Sequence, residues 1–143
     1  MLTSLALLLT LALAAEETPP LAAEGAWIRL APPEARVQAG YVLLRNQGTV
    51  TLALVAAESA AFGAIEIHDM VEREGVMRMR RLERLEIPAA GSAELRPGGL
   101  HLMLFRPVRP LAEGESVTIR LRLADGRALE LPFVVRAAPP AGG

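Results

Sequence analysis

The chain has 143 residues, enough for one domain of ordinary size and too few for two independent cores. A hydrophobic fraction of 52% excludes a disordered chain, and 15 basic against 16 acidic residues leave a net charge of −1 and no basic field for nucleic acid. There is no Cys, which excludes disulfides, thiolate metal sites, iron–sulfur clusters and Cys nucleophiles together.

The chain opens with an apolar run, Leu2 to Ala15, followed by the polar Glu16-Glu17-Thr18-Pro19-Pro20. A membrane-spanning helix needs ~20 apolar residues, so the run is too short to span and suits the apolar region of a secretory signal. Ala12-Leu13-Ala14 supplies small residues at the cleavage positions, although no Lys or Arg lies near the start. A signal peptide over 1–14, cleaved near Ala14/Ala15, is therefore predicted, with an uncleaved anchor as the alternative. Export places the mature protein in the periplasm or another extracytoplasmic space. Membrane contact is expected only through this segment if it stays uncleaved. With no Cys beside the cleavage position, lipid attachment there is excluded.

Residues 15–23 read as a linker, 24–136 as the domain and 137–143 as a flexible tail. The body reads as all-β. Val117, Ile119, Leu121 and Leu123 alternate with Thr118, Arg120 and Arg122, and the pattern resumes at Leu129, Leu131, Phe133 and Val135 after the turn Asp125-Gly126. Asn46-Gln47-Gly48 separates Tyr41–Arg45 from 49–57 in the same manner, as a hairpin would. About nine short strands at spacings of ~8–12 residues imply a sandwich or barrel. Over 76–87, apolar residues every three positions also fit a helix, but Glu72-Arg73-Glu74-Gly75 reads as a turn between two strands, and the hairpin is preferred. Trp27 and Tyr41 are expected to be buried rather than to serve as ligand platforms.

Apart from the initiator, every Met and His falls between 68 and 103: His68, Met70, Met77, Met79, His101 and Met103. A core would scatter its Met residues more widely. With Glu72–Gly75 as a four-residue loop, Val71 faces Val76, His68 faces Met79 and Met70 faces Met77. All four then share one face, since strand side chains alternate. His101 and Met103 share a face of their own strand, opposite Leu100, Leu102 and Leu104. Two imidazoles and up to four thioethers form a soft, uncharged donor set that suits Cu(I) better than Zn(II), Ca(II) or Mg(II).

These residues resemble the PCuAC family of periplasmic copper chaperones, whose signature is H-x10-M-x21-H-x-M. His68, Met79, His101 and Met103 reproduce that spacing throughout. GYVLLRNQG at 40–48, GVMRMR at 75–80, PGGLHLMLF at 97–105 and RPLAEGE at 109–115 are also similar to the family's text. The resemblance implies a cupredoxin-like Greek-key β-sandwich that binds one Cu(I) per monomer through His68, Met79, His101 and Met103. It implies delivery to an acceptor such as the binuclear copper centre of cytochrome c oxidase subunit II, with a Sco-like thioredoxin-fold protein as a further partner. Met70 and Met77 lie outside the signature and read as auxiliary sulfur ligands or as hydrophobic shielding. The tail Ala137–Gly143 has no ligand residue, unlike the His/Met-rich extensions of some members.

Other readings fit less well. A blue-copper electron carrier needs a thiolate, and an enzyme built on an N-terminal His needs one where cleavage leaves Ala15. No catalytic residues are expected. Copper storage or buffering is the near alternative, and a non-metal extracytoplasmic β-sandwich binding module the distant one. The latter calls for exposed aromatics, and the chain has five aromatic residues in all. Arg73, Arg78, Arg80, Arg81 and Arg84 interleave with Glu72, Glu74, Glu83 and Glu86, which reads as a solvated face. Asp69 is expected on the face opposite His68.

Overall fold

The structure, a computed structural model, describes residues 17–141. The expected signal segment, its cleavage position and the last two residues of the tail lie outside them. Among the described residues there is no helix. Ten strands follow one another: β1 (Leu21–Arg29), β2 (Val37–Asn46), β3 (Leu52–Glu58), β4 (Phe62–Arg73), β5 (Val76–Leu82), β6 (Leu85–Ile87), β7 (Ser92–Leu95), β8 (His101–Pro107), β9 (Ser116–Leu123) and β10 (Ala128–Arg136). This is one more than the sequence suggests. β1 begins at Leu21, inside the stretch read as linker.

Hydrogen bonding runs in the order β5-β4-β8-β2-β1-β10-β9-β3-β6, with β7 on β2. The β1–β10 pair is parallel, the others antiparallel, and it joins the two halves of a β-sandwich. Alternation drives the packing. On β9, Val117, Ile119, Leu121 and Leu123 are buried while Thr118 and Arg122 are exposed. Leu131, Phe133 and Val135 do the same on β10, and Ile28, Leu44, Ile67, Leu102 and Leu104 come from the other half. Each such side chain contributes about 1.5–3 kcal/mol by leaving water. At Gly40 the halves meet closely: a Cβ there would lie 3.5 Å from Leu102 and 3.7 Å from the Phe133 ring.

The turns divide into one expected and one not. Between β9 and β10, Gly126 takes φ +90° and Asp125 accepts from the Arg127 amide at 2.9 Å. The Arg127 guanidinium hydrogen-bonds the Asp125 carboxylate and holds it below its usual range. The segment after Asn46, by contrast, is a crossover and not a hairpin. β2 pairs with β1, β7 and β8, whereas β3 pairs with β6 and β9. The buried Asn46 fixes this corner by donating to Val50 and Ile87 carbonyls at 2.9 Å each and accepting from the Gly48 amide at 3.0 Å. Residues 76–87 are extended, as the hairpin reading expects.

Candidate metal centre

The site is built on β4, β5 and β8. The β4–β5 turn is the two-residue pair Glu74-Gly75, with φ of +51° and +78°. Two successive positive values suit the tight hairpin turn whose twist matches the strands. The four-residue loop assumed from the sequence is therefore wrong, and the register moves by two. Arg73 faces Val76, Glu72 faces Met77, Met70 faces Met79, and His68 faces Arg81. A slip of one residue would have put Met77 and Met79 on the wrong face, but a slip of two preserves it. His68, Met70, Met77 and Met79 share one side, as expected.

β8 completes the face. It lies against β4 with His68 directly opposite His101 and Glu66 opposite Met103. Leu102 and Leu104 point the other way and are fully buried in the core. All six sulfur and imidazole side chains thus project from one face of three adjacent strands. Met79 and Met103 are diagonal neighbours of His68, a separation of about 7–8 Å that long side chains span.

The imidazoles carry the informative geometry. His68 Nε2 lies 2.8 Å from Glu66 Oε2, and His101 Nδ1 lies 2.8 Å from the Gly99 carbonyl oxygen. The ring centroids are 5.7 Å apart. Among the described residues, the buried side-chain nitrogens and oxygens without a hydrogen-bond partner are His68 Nδ1 and His101 Nε2. Leaving such an atom unpaired costs about 1–3 kcal/mol, so two in facing rings call for a ligand. Beside them an open pocket of about 390 Å³ is lined by Met70, Met79, His101, Met103, Tyr41 and Arg29, among others. Met77 and Met79 are 52% and 53% exposed, whereas His101 is 6% exposed. The site is buried at its nitrogen end and open at its sulfur end. Among the described residues no three His, Cys, Asp or Glu cluster to hold a metal. The imidazoles and thioethers that share this face suit a soft cation rather than one that requires oxygen ligands.

Sequence reasoning missed Glu66, although its position two residues before His68 on the same strand face was a readable signal. Asp69 points away from the site, accepts from the Met70 amide at 2.8 Å and pairs with Arg80 at 3.7 Å. The exposed arginines do not form one face: Arg81, on the side of His68, pairs with Glu66 at 3.8 Å, Arg80 lies on the other side with Asp69, and Arg84 pairs with Glu86 at 3.7 Å. Trp27 and Tyr41 are buried as expected, with ring centroids 4.8 Å apart, but on β1 and β2 outside the central cluster.

Fold and site together define a Cys-free β-sandwich that presents two facing imidazoles and four thioethers on one sheet face. The chain belongs to the LpqE-like family: residues 21–135 match the model described as "Putative lipoprotein LpqE-like". It is 31% identical over 119 residues to "Putative lipoprotein Lxx21020" of Leifsonia xyli subsp. xyli (strain CTCB07), covering 79% of this chain and 70% of that protein. The lipoprotein description is that of those relatives. The copper-bound PCuAC domain from PmoF2 superposes with a TM-score of 0.72 at 18% identity, over 85% of this chain and 97% of that one. DR1885 from Deinococcus radiodurans is 30% identical. Its apo solution structure gives a TM-score of 0.66 over 96% of this chain and 93% of that one, and its CuI form 0.67 over 87% and 82%. These neighbours share the cupredoxin-like β-sandwich.

Proposed function

We propose that this chain is an extracytoplasmic copper chaperone that binds one Cu(I) through His68, Met79, His101 and Met103 and delivers it to a copper acceptor. The observation that carries the reading is the pair of buried, unpartnered nitrogens, His68 Nδ1 and His101 Nε2, on directly opposed residues of a thioether-bearing face. DR1885, whose structure is known with CuI, and the copper-bound PmoF2 domain support it through their shared fold. Two imidazoles and two thioethers are neutral, so they hold a singly charged closed-shell ion without adding charge. Met70, opposite Met79, and the exposed Met77 form the adjoining sulfur rung. The lipoprotein relatives support an extracytoplasmic location.

Copper is cargo here, and no bond of a substrate is made or broken. An acceptor with thiolate ligands, such as the binuclear centre of cytochrome c oxidase subunit II, binds Cu(I) more strongly than neutral donors do. The half-exposed Met79 at the open sulfur end lets acceptor ligands approach and exchange one at a time. The Cu(I)-loaded protein is mixed with the apo copper-binding domain of an oxidase subunit II, and the acceptor's visible absorption is followed after oxidation. Transfer should quicken with acceptor concentration and persist beside a competing chelator. Transfer abolished by the chelator would indicate dissociation, and the protein would then be a store or buffer.

A further inference from the structure

We propose that Glu66 is a positioning residue that holds His68 in its Nε2–H tautomer and so reserves Nδ1 as the copper-binding atom of that ring. The inference rests on the Cu(I) reading above and specifies which atoms act in it. An ionised carboxylate only accepts hydrogen bonds, so the 2.8 Å contact between Glu66 Oε2 and His68 Nε2 places the ring hydrogen on Nε2. The lone pair then falls on Nδ1, which is buried and has no partner. At His101 the arrangement is reversed. The Gly99 carbonyl also only accepts, so the hydrogen is on Nδ1 and the lone pair on the buried, unpartnered Nε2. The two rings therefore offer unlike nitrogens, Nδ1 of His68 and Nε2 of His101, to one ion between β4 and β8.

The surroundings of Glu66 favour this role. It lies on the ligand face, directly opposite Met103 and two residues before His68. Its second oxygen lies 3.8 Å from Arg81 Nε, and Arg81 is the residue directly across from His68 on β5. The carboxylate is thus held between a cation and the imidazole, its orientation set from both sides. The Phe105 ring is also near, its centroid 6.4 Å from that of His68. Carboxylates hydrogen-bonded to ligating imidazoles fix tautomer and ring orientation, and losing one weakens metal binding by about 10–100-fold. A carboxylate oxygen is itself a poor donor to Cu(I), which separates this role from direct ligation.

The test compares wild type with Glu66→Ala and Glu66→Gln. Glutamine keeps an oxygen that accepts the Nε2–H bond, whereas alanine does not. Imidazole nitrogen NMR of the apo proteins should show His68 as the Nε2–H tautomer in wild type and Glu66→Gln, and as a mixture in Glu66→Ala, with His101 unchanged in all three. Competition titration should show Cu(I) affinity about 10–100-fold lower for Glu66→Ala and within a few-fold of wild type for Glu66→Gln. An Nδ1–H tautomer in the wild type would overturn the proposal, as would equal copper affinity for Glu66→Ala and wild type. A Glu66→Gln variant as weak as Glu66→Ala would also overturn it, by showing that the charge matters and not the hydrogen bond. A wild type that binds no Cu(I) would refute the chaperone reading alone, because the apo spectra still decide what Glu66 does to the ring.

Discussion

His68 and His101 each set one ring nitrogen against a local acceptor and leave the other bare, and that division is what recommends them as the proposed copper ligands. The four methionines are not equivalent. Met70, Met79 and Met103 line the pocket with His101, Met70 directly opposite Met79, whereas Met77 lies opposite Glu72 and does not line it. Leucine keeps the apolar bulk of methionine and deletes the sulfur. Met79→Leu should change stability by no more than about 0.5 kcal/mol, since the side chain is half exposed. Met103→Leu is a volume-conserving swap that should cost less than about 1.5 kcal/mol. Each should lower Cu(I) affinity at least tenfold, about 1.4 kcal/mol, in a chelator competition titration. Met70→Leu and Met77→Leu should have smaller effects. Equal losses in all four variants would mean that signature and flanking sulfurs ligate alike.

The hairpin that carries half the site has a turn whose chemistry is suboptimal. Glu74 adopts φ +51°, a left-handed conformation that asparagine tolerates better than glutamate. Glu74→Asn should therefore stabilise the domain by about 0.5–1 kcal/mol, read as a higher denaturation midpoint at unchanged slope, with copper binding intact. A fall in the midpoint would show that the turn is not set by these two residues. The same turn explains what the sequence could and could not reveal. Glu72-Arg73-Glu74-Gly75 is compatible with a loop of two or four residues, so the partners of Met77 and Met79 were misassigned. The ligand face was nonetheless legible, because both loops keep the same parity. The adjacency of β4 and β8 is a long-range pairing that no local pattern encodes, and with it the facing of His68 and His101 was hidden. Asn-Gln-Gly is turn chemistry in either setting, so the sequence at Asn46 does not separate a hairpin from a crossover. The hydrogen bonds of Asn46 to the Val50 carbonyl and the buried Ile87 carbonyl make it a crossover anchor. Asn46→Ala should cost about 1–3 kcal/mol, since it strips the partner from the buried Ile87 carbonyl. A loss below about 0.5 kcal/mol would show that the corner is held by other bonds.

In the whole molecule, core and site occupy opposite faces of the same strands. Leu102 and Leu104 of β8 pack inward while His101 and Met103 project outward, so ligand chemistry can vary without dismantling the sandwich. The alternating pattern is enough to read the all-β architecture, and the confinement of His and Met to one segment is enough to point to the face of the candidate site. The parallel β1–β10 pair that joins the halves has no sequence signal, since it links the two ends of the domain. β5 lies at the edge of the sheet, and its Met77 and Met79 are half exposed, so the sulfur end of the site opens to solvent. If one ion is shared by two imidazoles and two thioethers on this face, X-ray absorption of the copper-loaded, reduced protein shows both kinds of scatterer. One copper per chain with two nitrogen and two sulfur scatterers is the predicted result; no bound copper, or a shell of nitrogen alone, would contradict it.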